Sequence, residues 1–354
     1  MSFSFTKENV AVIIRSIISQ HLSEQNSSYF PLWFEYNQRG DLDNMPFWLD
    51  SLGLVTLATE IGTFFGVEHS GLEDNFIRYR DFQSWNDIVF DSLKHSDATI
   101  TFFTSGTTGK SKQVKHPLKN IIKEATFLST LFSGQTSIAS FVRPHHIYGF
   151  IYTIVLPQIL EVPVIYHEPL PSRAFFKTAP YSLLVSTPTL YRELALFEEQ
   201  FSLNTIATSS TESLCKTTYE LLKNKGLKEI YEIYGSSESL GVGYRTSLEA
   251  PFKLFDYLQK DFLLDIQDGM DFKEERLFTI QNRNDSLLKY RGYKLNLAEY
   301  ETKLKLLEGI DEANASVSKG KLLCFICSKN KPEVLKQIAL HLSPTPDKII
   351  WLEV

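Results

Sequence analysis

A short apolar stretch that runs directly into a loop of glycines and hydroxyl side chains constrains the fold of this chain most strongly. The stretch reads TFFTSGTTGKSK, from Thr101 to Lys112. Its apolar beginning, residues 99–103, is typical of a β-strand. Glycines let backbone N–H groups approach phosphate oxygens closely, hydroxyls donate further hydrogen bonds, and lysines supply positive charge. The stretch therefore favours a polyphosphate-binding loop, although taken alone such a turn is also ordinary loop chemistry.

The letters GKS in this loop also end the P-loop of nucleotide-hydrolysing proteins. A P-loop reads G-x-x-x-x-G-K-[ST], so Gly109 would need a glycine five positions earlier, where Thr104 stands. A P-loop NTPase would hydrolyse nucleotide without any carboxylic acid. The missing glycine argues against that alternative.

Length and composition limit the classes of protein to which this chain can belong. A chain of 354 residues is expected to form two or three domains. Residues 1–98 are acidic and the rest is mildly basic, with no basic run interleaved with aromatic residues, so nucleic acid is not an expected partner. The longest apolar run, Gly149 to Leu160, is too short to span a bilayer. The first residues lack the features of a signal peptide, so we expect a cytoplasmic protein.

Cys324 and Cys327 form a C-x-x-C pair, a spacing that also occurs in metal and redox sites. They lie in the apolar segment KLLCFICS, which is typical of a strand, where residues three apart face opposite sides. The sequence has no second pair to complete a zinc site. We interpret both cysteines as structural.

The first part of the chain predicts a small all-α bundle over residues 1–96. Thr6 can cap a helix whose apolar residues recur at helical spacing from Val10 to about Leu22. A second helical pattern covers residues 49–68, and a third covers residues 82–93.

The start of the second helix, Asp50-Ser51-Leu52, resembles the attachment site of acyl and peptidyl carrier proteins. The resemblance implies that Ser51 carries 4′-phosphopantetheine, added by a pantetheinyl transferase. The partial positive charge at a helix N-terminus favours an attached phosphodiester. The alternative is an ordinary capped helix start.

Further segments beyond residue 99 resemble, in the same order, the motifs of the adenylate-forming superfamily, which includes acyl-CoA synthetases and adenylation domains. These segments are Thr104–Lys112 with His116, PHHIYG at 144–149, STP at 186–188, SSTESL at 209–214, YGSSE at 234–238, Asp268 fifteen positions before Arg283, and Arg283-Asn284-Asp285 followed by Lys289, Gly292 and Glu299. The fold class expected is multidomain: the all-α bundle, a truncated α/β adenylate-forming core over 99–284, and a small α+β C-terminal domain over 285–354.

The resemblance also implies a role for each motif in a reaction of a carboxylic acid with ATP and Mg²⁺. The pyrophosphate would be held by the loop, the Mg²⁺ by Glu238, the adenine by Tyr234 and the turn at Ser210, and the ribose by Asp268 and Arg283. His146 would line the acyl pocket, while the role of His145 stays open. Asp285 would be the hinge, and Lys289 would face the thiol in the second half-reaction. The expected residues are Lys112, Glu238, Lys289 and His146 for catalysis, and Thr104, Ser105, Gly106, Thr107, Thr108, Gly109, Ser210, Tyr234, Gly235, Ser237, Asp268 and Arg283 for the nucleotide.

This sequence departs from the family pattern in two larger ways. The bundle ends where the adenylate-forming strand starts, so the α/β subdomain that usually precedes the loop is expected to be absent. No residue near the end matches the family lysine that bridges carboxylate and α-phosphate, and loss of one such donor costs about a hundred- to a thousand-fold in rate. We therefore expect slow unaided adenylation. The alternatives are that another lysine substitutes, that a partner completes the site, or that the protein favours the second half-reaction, thiol attack on a preformed adenylate.

Taken together, the sequence predicts activation of a fatty or aryl carboxylic acid as an acyl-adenylate. The acceptor would be a phosphopantetheine thiol, on Ser51 or on a separate carrier protein, or CoA. The alternative is a non-catalytic scaffold of the same fold that needs a partner.

Overall fold

The computed structural model describes residues 3–25, 49–94, 98–104, 112–167, 173–177, 182–259, 270–280, 287–290, 293–318, 321–342 and 344–352. The chain divides into two compact units, Met1–Gln259 and Lys260–Val354. None of the described helices is both long enough and apolar enough to cross a membrane.

The first unit begins with helices whose ends follow the capping signals in the sequence. They are α1 (Lys7–Gln25), α2 (Ser51–Phe65), a 3₁₀ turn at Val67–His69, α3 (Asn75–Arg78) and α4 (Phe82–Ser92). Thr6 caps α1, since its Oγ1 accepts from the N–H of Asn9 at 3.1 Å. Asp50 caps α2 in the same way by accepting from the N–H of Gly53 at 2.7 Å.

After these helices comes a two-stranded antiparallel hairpin, β1 (Thr99–Thr104) and β2 (Lys112–Pro117). The strand predicted at 99–103 is therefore present and one residue longer.

The described helices share one hydrophobic cluster with the hairpin and the sheet, whereas the sequence predicted a separate bundle over residues 1–96. Phe64 of α2 lies edge-on to Phe102 of β1, with ring centroids 5.6 Å apart, and 6.1 Å from Phe150 further along the chain. All three rings belong to one hydrophobic cluster. Consecutive residues 10–14 of α1 are all buried, and a helix that is buried around much of its circumference needs more neighbours than two other helices provide. The described helices belong to the first compact unit, which ends at Gln259.

The centre of the first unit is a sheet with helices on both faces. The strands are β3 (Ile138–Ser140), β4 (Val164–Tyr166), β5 (Leu183–Ser186), β6 (Ile206–Ser209), β7 (Glu229–Ser236), β8 (Leu240–Arg245) and β9 (Phe252–Leu254), and within this unit they lie in the order β9-β8-β7-β6-β5-β3-β4. The pairs from β7 through β4 are parallel, whereas β8 is antiparallel to both β7 and β9.

Successive side chains along the parallel strands point to opposite faces of the sheet, so the hydrophobic core is divided between those two faces. Val185 packs with α5 (Leu118–Leu131) and the segment formed by α6 (Ile147–Phe150), a π-helix (Ile151–Val155) and α7 (Leu156–Leu160). Its neighbour Leu184 belongs to the opposite cluster, with α8 (Arg173–Lys177), α9 (Pro188–Leu196) and α10 (Lys216–Asn224). This is the doubly covered arrangement in which ligands bind at the carboxyl ends of the strands.

The second unit is described by itself. Its elements are β10 (Met270–Phe272), β11 (Leu277–Ile280), β12 (Leu287–Tyr290), β13 (Tyr293–Asn296), α11 (Leu297–Lys305), β14 (Glu312–Ser318), β15 (Lys321–Cys327), α12 (Lys331–His341) and β16 (Lys348–Leu352). β15 pairs antiparallel with β14 and parallel with β16. Cys324 and Cys327 lie on β15, Cys324 is fully buried, and burial raises the pKa of its thiol to about 12. The predicted strand is therefore present, and the structural interpretation of the pair stays a prediction.

The shared core of the first unit can be tested with Phe64→Ala. Because Phe64 is 1% exposed and contacts rings from β1 and α6, we expect a loss of about 3–5 kcal/mol in the free energy of unfolding. Urea unfolding followed by circular dichroism measures this loss. Hydrogen exchange should show weaker protection in the parallel strands as well as in the helices.

Ile77→Ala is the matched control, since Ile77 is 56% exposed and its truncation should change stability by about 0.5 kcal/mol or less. Loss of protection confined to residues 3–94 in Phe64→Ala would contradict a shared core.

Candidate functional site

Two contacts join the β1–β2 hairpin to the turn between β7 and β8. Nε2 of His116 lies 2.6 Å from the carbonyl oxygen of Ser237, and because a carbonyl only accepts, this ring nitrogen carries the proton. Nζ of Lys112 donates to Oε1 of Glu238 at 3.0 Å. Two motifs that lie more than 120 positions apart in the sequence thus meet at one place in the fold.

The two strands of the hairpin meet next to this place. Thr104, the last residue of β1, pairs with Lys112, the first residue of β2. The predicted loop residues Ser105, Gly106, Thr107, Thr108 and Gly109 lie outside the described residues. The described part of the predicted phosphate loop therefore contributes Lys112 to the site.

Hydrogen bonds within the β7–β8 turn hold the backbone of Glu238. Oγ of Ser236 accepts from the N–H groups of Glu238 at 3.2 Å and of Ser239 at 3.1 Å. Gly235 precedes this turn at a bulge, and a Cβ there would lie 2.3 Å from the carbonyl oxygen of Leu240. Any side chain at position 235 would displace the backbone that presents Glu238.

Glu238 has the charge and exposure of a metal ligand. Partial desolvation alone would raise its pKa, but the hydrogen bond and charge of Lys112 outweigh it and hold the pKa below the usual value. The carboxylate is therefore ionised at neutral pH. Among the described residues no group of three or more metal-ligating side chains is found. A single carboxylate fits Mg²⁺, which commonly takes one or two carboxylates together with substrate phosphates.

Polar side chains collect where β5, β6 and β7 end. Ser186 and Ser209 are register partners at the ends of β5 and β6, and their buried hydroxyls have no hydrogen-bond partner within the described structure. Oγ of Ser210 donates to the carbonyl oxygen of Ile233 at 3.1 Å, which links the end of β6 to β7. Tyr234 packs against Phe252, with ring centroids 5.6 Å apart.

The turn after Ser210 contains an unusual backbone conformation. Thr211 has φ +85°, a region that β-branched residues rarely adopt. Strained backbone of this kind is concentrated at binding and catalytic sites. The turn predicted on the adenine side is therefore held in a conformation that its local sequence does not favour.

The PHHIYG segment crosses the same edge of the sheet. The hydroxyl of Tyr148 is 2.6 Å from Oγ1 of Thr208 on β6. Gly149 lies so close to the preceding turn that a Cβ would clash with the carbonyl of Arg143. His146 is exposed, whereas His145 is buried, so the two neighbouring histidines have different environments.

Several predicted site residues cannot be placed around this edge. Asp268, Arg283 and Asp285 lie outside the described residues. Lys289 lies on β12 of the second unit, where the backbone alone is described. Ser51 is the exposed first residue of α2.

Glu124 on α5 supports the site, and sequence reasoning missed it. Its Oε2 accepts from the N–H of Gly241 at 2.8 Å, and a Cβ at Gly241 would lie 2.4 Å from Oε1. Burial raises the pKa of this carboxyl to about 7. Gly241 is the second residue of β8, just after the turn that carries Glu238, so Glu124 holds the start of that strand in place. The available signal was a lone glutamate among the apolar residues Ile121, Ala125 and Leu128.

Comparisons with known proteins identify a family and a fold for this chain. A family model described as AMP-binding enzyme matches residues 66–256, more than half of the chain. The 4-coumarate–CoA ligase of Halorhodospira halophila is 25% identical over 319 residues, which are 84% of this chain and 81% of the relative. The protein of the same name from Rhodobacter capsulatus is 26% identical over 296 residues, which are 78% of this chain and 77% of the relative.

Solved structures show the same fold at low sequence identity. The crystal structure of an ATP-bound RpMatB-BxBclM chimera covers 97% of this chain and 88% of its own, with a TM-score of 0.56 and 13% identity. The match to O-succinylbenzoate coenzyme A synthetase from Bacillus subtilis, in complex with AMP, covers 76% of this chain and 72% of that structure, with a TM-score of 0.53 and 15% identity. The region that the family model matches contains the hairpin, the β7–β8 turn and the PHHIYG segment.

Proposed function

Because the chain belongs to the AMP-binding enzyme family, we propose that it is a ligase that activates a carboxylic acid with ATP. The carboxylate oxygen attacks the α-phosphorus, which forms the acyl-adenylate and releases pyrophosphate. A thiol sulfur then attacks the acyl carbon and releases AMP. One observation carries this proposal: the contacts between the β1–β2 hairpin and the β7–β8 turn bring Lys112 and Glu238 together.

Each described site residue has a part in this reaction. Lys112 neutralises the charge of the outer phosphates, and its ammonium is on an exposed side chain that a nucleotide can reach. Glu238 would hold Mg²⁺, which when bound neutralises phosphate charge. Tyr234 offers an aromatic face to adenine next to the turn at Ser210, and His146 with Tyr148 line the pocket for the acid.

Residues whose side chains lie outside the described part of the structure enter the proposal through the resemblance of the motifs. Asp268 and Arg283 are proposed as the ribose contacts and Asp285 as the hinge. Lys289 is proposed to face the thiol during the second half-reaction. The hydroxyl and glycine residues from Thr104 to Gly109 are proposed to surround the β- and γ-phosphates.

The acceptor thiol distinguishes two versions of the proposal. The named relatives are CoA ligases, which supports an aryl or fatty acid as substrate and CoA as the acceptor. The other version uses phosphopantetheine on Ser51 or on a separate carrier protein. An exposed serine after a capping aspartate supports it, but α2 packs through Phe64 on the core shared with the sheet, so we favour CoA.

The activity is tested by exchange of labelled pyrophosphate into ATP across a panel of aryl and fatty acids. We expect exchange that depends on one class of acid. Lys112→Ala and Glu238→Ala should each lower its rate about a hundred-fold or more, because each removes a group that stabilises the transition-state charge.

Lys115→Ala and Glu249→Ala are matched controls, since both side chains are exposed and lie outside the proposed site. They should keep the wild-type rate. ATP binding without exchange for any acid would support the non-catalytic scaffold instead, and ATP hydrolysis without any acid would support an NTPase.

The acceptor is tested by incubation with a pantetheinyl transferase and CoA, followed by intact mass spectrometry. We expect no mass gain, and we expect free CoA to consume the acyl-adenylate. A phosphopantetheine-sized gain that disappears in Ser51→Ala would contradict this expectation and support the carrier version.

A further inference from the structure

Two side chains of α1 hold the buried histidine of the PHHIYG segment. Oγ of Ser16 lies 2.7 Å from Nδ1 of His145, and Oε1 of Gln20 lies 2.7 Å from Nε2 of the same ring. Ser16 is fully buried and His145 is 7% exposed. Both ring nitrogens therefore have a partner from a helix that lies more than 120 residues earlier in the chain.

The hydrogen-bond partners define the tautomer of His145. Oε1 of Gln20 also accepts from Nη1 of Arg143 at 3.3 Å, which identifies that atom as the amide oxygen. Nε2 of His145 must then donate to Gln20, and Nδ1 accepts from the hydroxyl of Ser16. Burial, followed by the charges of His146 and Arg143, lowers the pKa of His145 well below its usual value. The ring is neutral, with its proton on Nε2.

The position of His145 determines the course of the segment that follows it. His146 is its immediate neighbour, with ring centroids 4.3 Å apart, and the carbonyl of His146 accepts the first helical bond of α6 from Phe150 at 2.7 Å. Four residues after His145, Gly149 packs against the backbone of Arg143. Between them, Tyr148 bonds to Thr208. The segment is therefore fixed on one side by α1 and on the other by β6.

We propose that Ser16 and Gln20 are positioning residues for the acid-activating reaction, and that they act through His145 on His146 and Tyr148. This inference rests on the proposed function, in which those two side chains line the acid pocket. It gives α1 a role in the site of the ligase, distinct from the carrier-like role that the sequence suggested for the N-terminal helices.

The kinetic test compares Ser16→Ala and Gln20→Ala with the wild type in acid-dependent pyrophosphate exchange. Each variant should lose about ten-fold in kcat, the equivalent of one hydrogen bond, because the pocket segment shifts relative to the reacting carboxylate. The KM for ATP should stay unchanged. Gln20→Glu keeps an acceptor oxygen for both His145 and Arg143, so it should retain most of the wild-type kcat that Gln20→Ala loses.

His21→Ala is the matched control for a loss of helix stability. His21 is a buried polar residue on the same helix, and its Nδ1 lies 3.4 Å from a carboxylate oxygen of Glu60 on α2. Its loss should lower the melting temperature without changing kcat. Wild-type kcat in both Ser16→Ala and Gln20→Ala, or an equal loss in His21→Ala, would overturn the proposal.

A second measurement does not depend on activity. In ¹⁵N-labelled protein, the ring of His145 should give the NMR signature of a neutral imidazole with its proton on Nε2, and Ser16→Ala should shift the Nδ1 resonance. A charged ring or a proton on Nδ1 would overturn the hydrogen-bond scheme. A wild type without exchange but with the expected NMR signature would instead refute the proposed function and leave the scheme intact.

Discussion

The contact between His116 and the carbonyl of Ser237 is the interaction on which the candidate site depends. The β1–β2 hairpin has two strands, and such a hairpin is marginally stable in water without further packing. Phe102 supplies that packing on one side of the hairpin, where it lies in the aromatic cluster with Phe64 and Phe150. His116 then connects the hairpin to the β7–β8 turn. The ion pair between Lys112 and Glu238 follows from these contacts, since exposed ion pairs contribute little stability by themselves.

The N-terminal helices illustrate what periodicity predicts and what it leaves open. The sequence predicted helices near their observed positions, because caps such as Thr6 and apolar spacing are local signals. An apolar face shows that a helix is buried, but it does not identify the surface that buries it. The unbroken apolar run VAVII at residues 10–14 of α1 was the sequence signal for packing on more than one side. A helix of this kind fits the interior of a larger unit better than a small bundle.

The sequence predicted some residues of the site and missed others, for a related reason. Motifs that bind a common chemical group keep a local pattern, and the segments around Lys112 and Glu238 were recognised in that way before the structure brought them together. Hydrogen bonds between distant segments leave no such pattern. The bonds from Ser16 to His145 and from Gly241 to Glu124 cross more than a hundred positions. A lone glutamate among apolar residues marks Glu124 as unusual, but nothing in the local sequence identifies the partner in either bond. The positive φ of Thr211 is likewise imposed by tertiary structure, against the preference of a β-branched residue.

The most direct test of the central claim is a crystal structure of the protein with a non-hydrolysable ATP analogue and Mg²⁺. The account predicts outer phosphates in contact with Nζ of Lys112 and a metal ion bound to the carboxylate of Glu238. It also predicts that the bond between His116 and Ser237 is retained in the complex. Phosphates bound away from both Lys112 and Glu238 would contradict it.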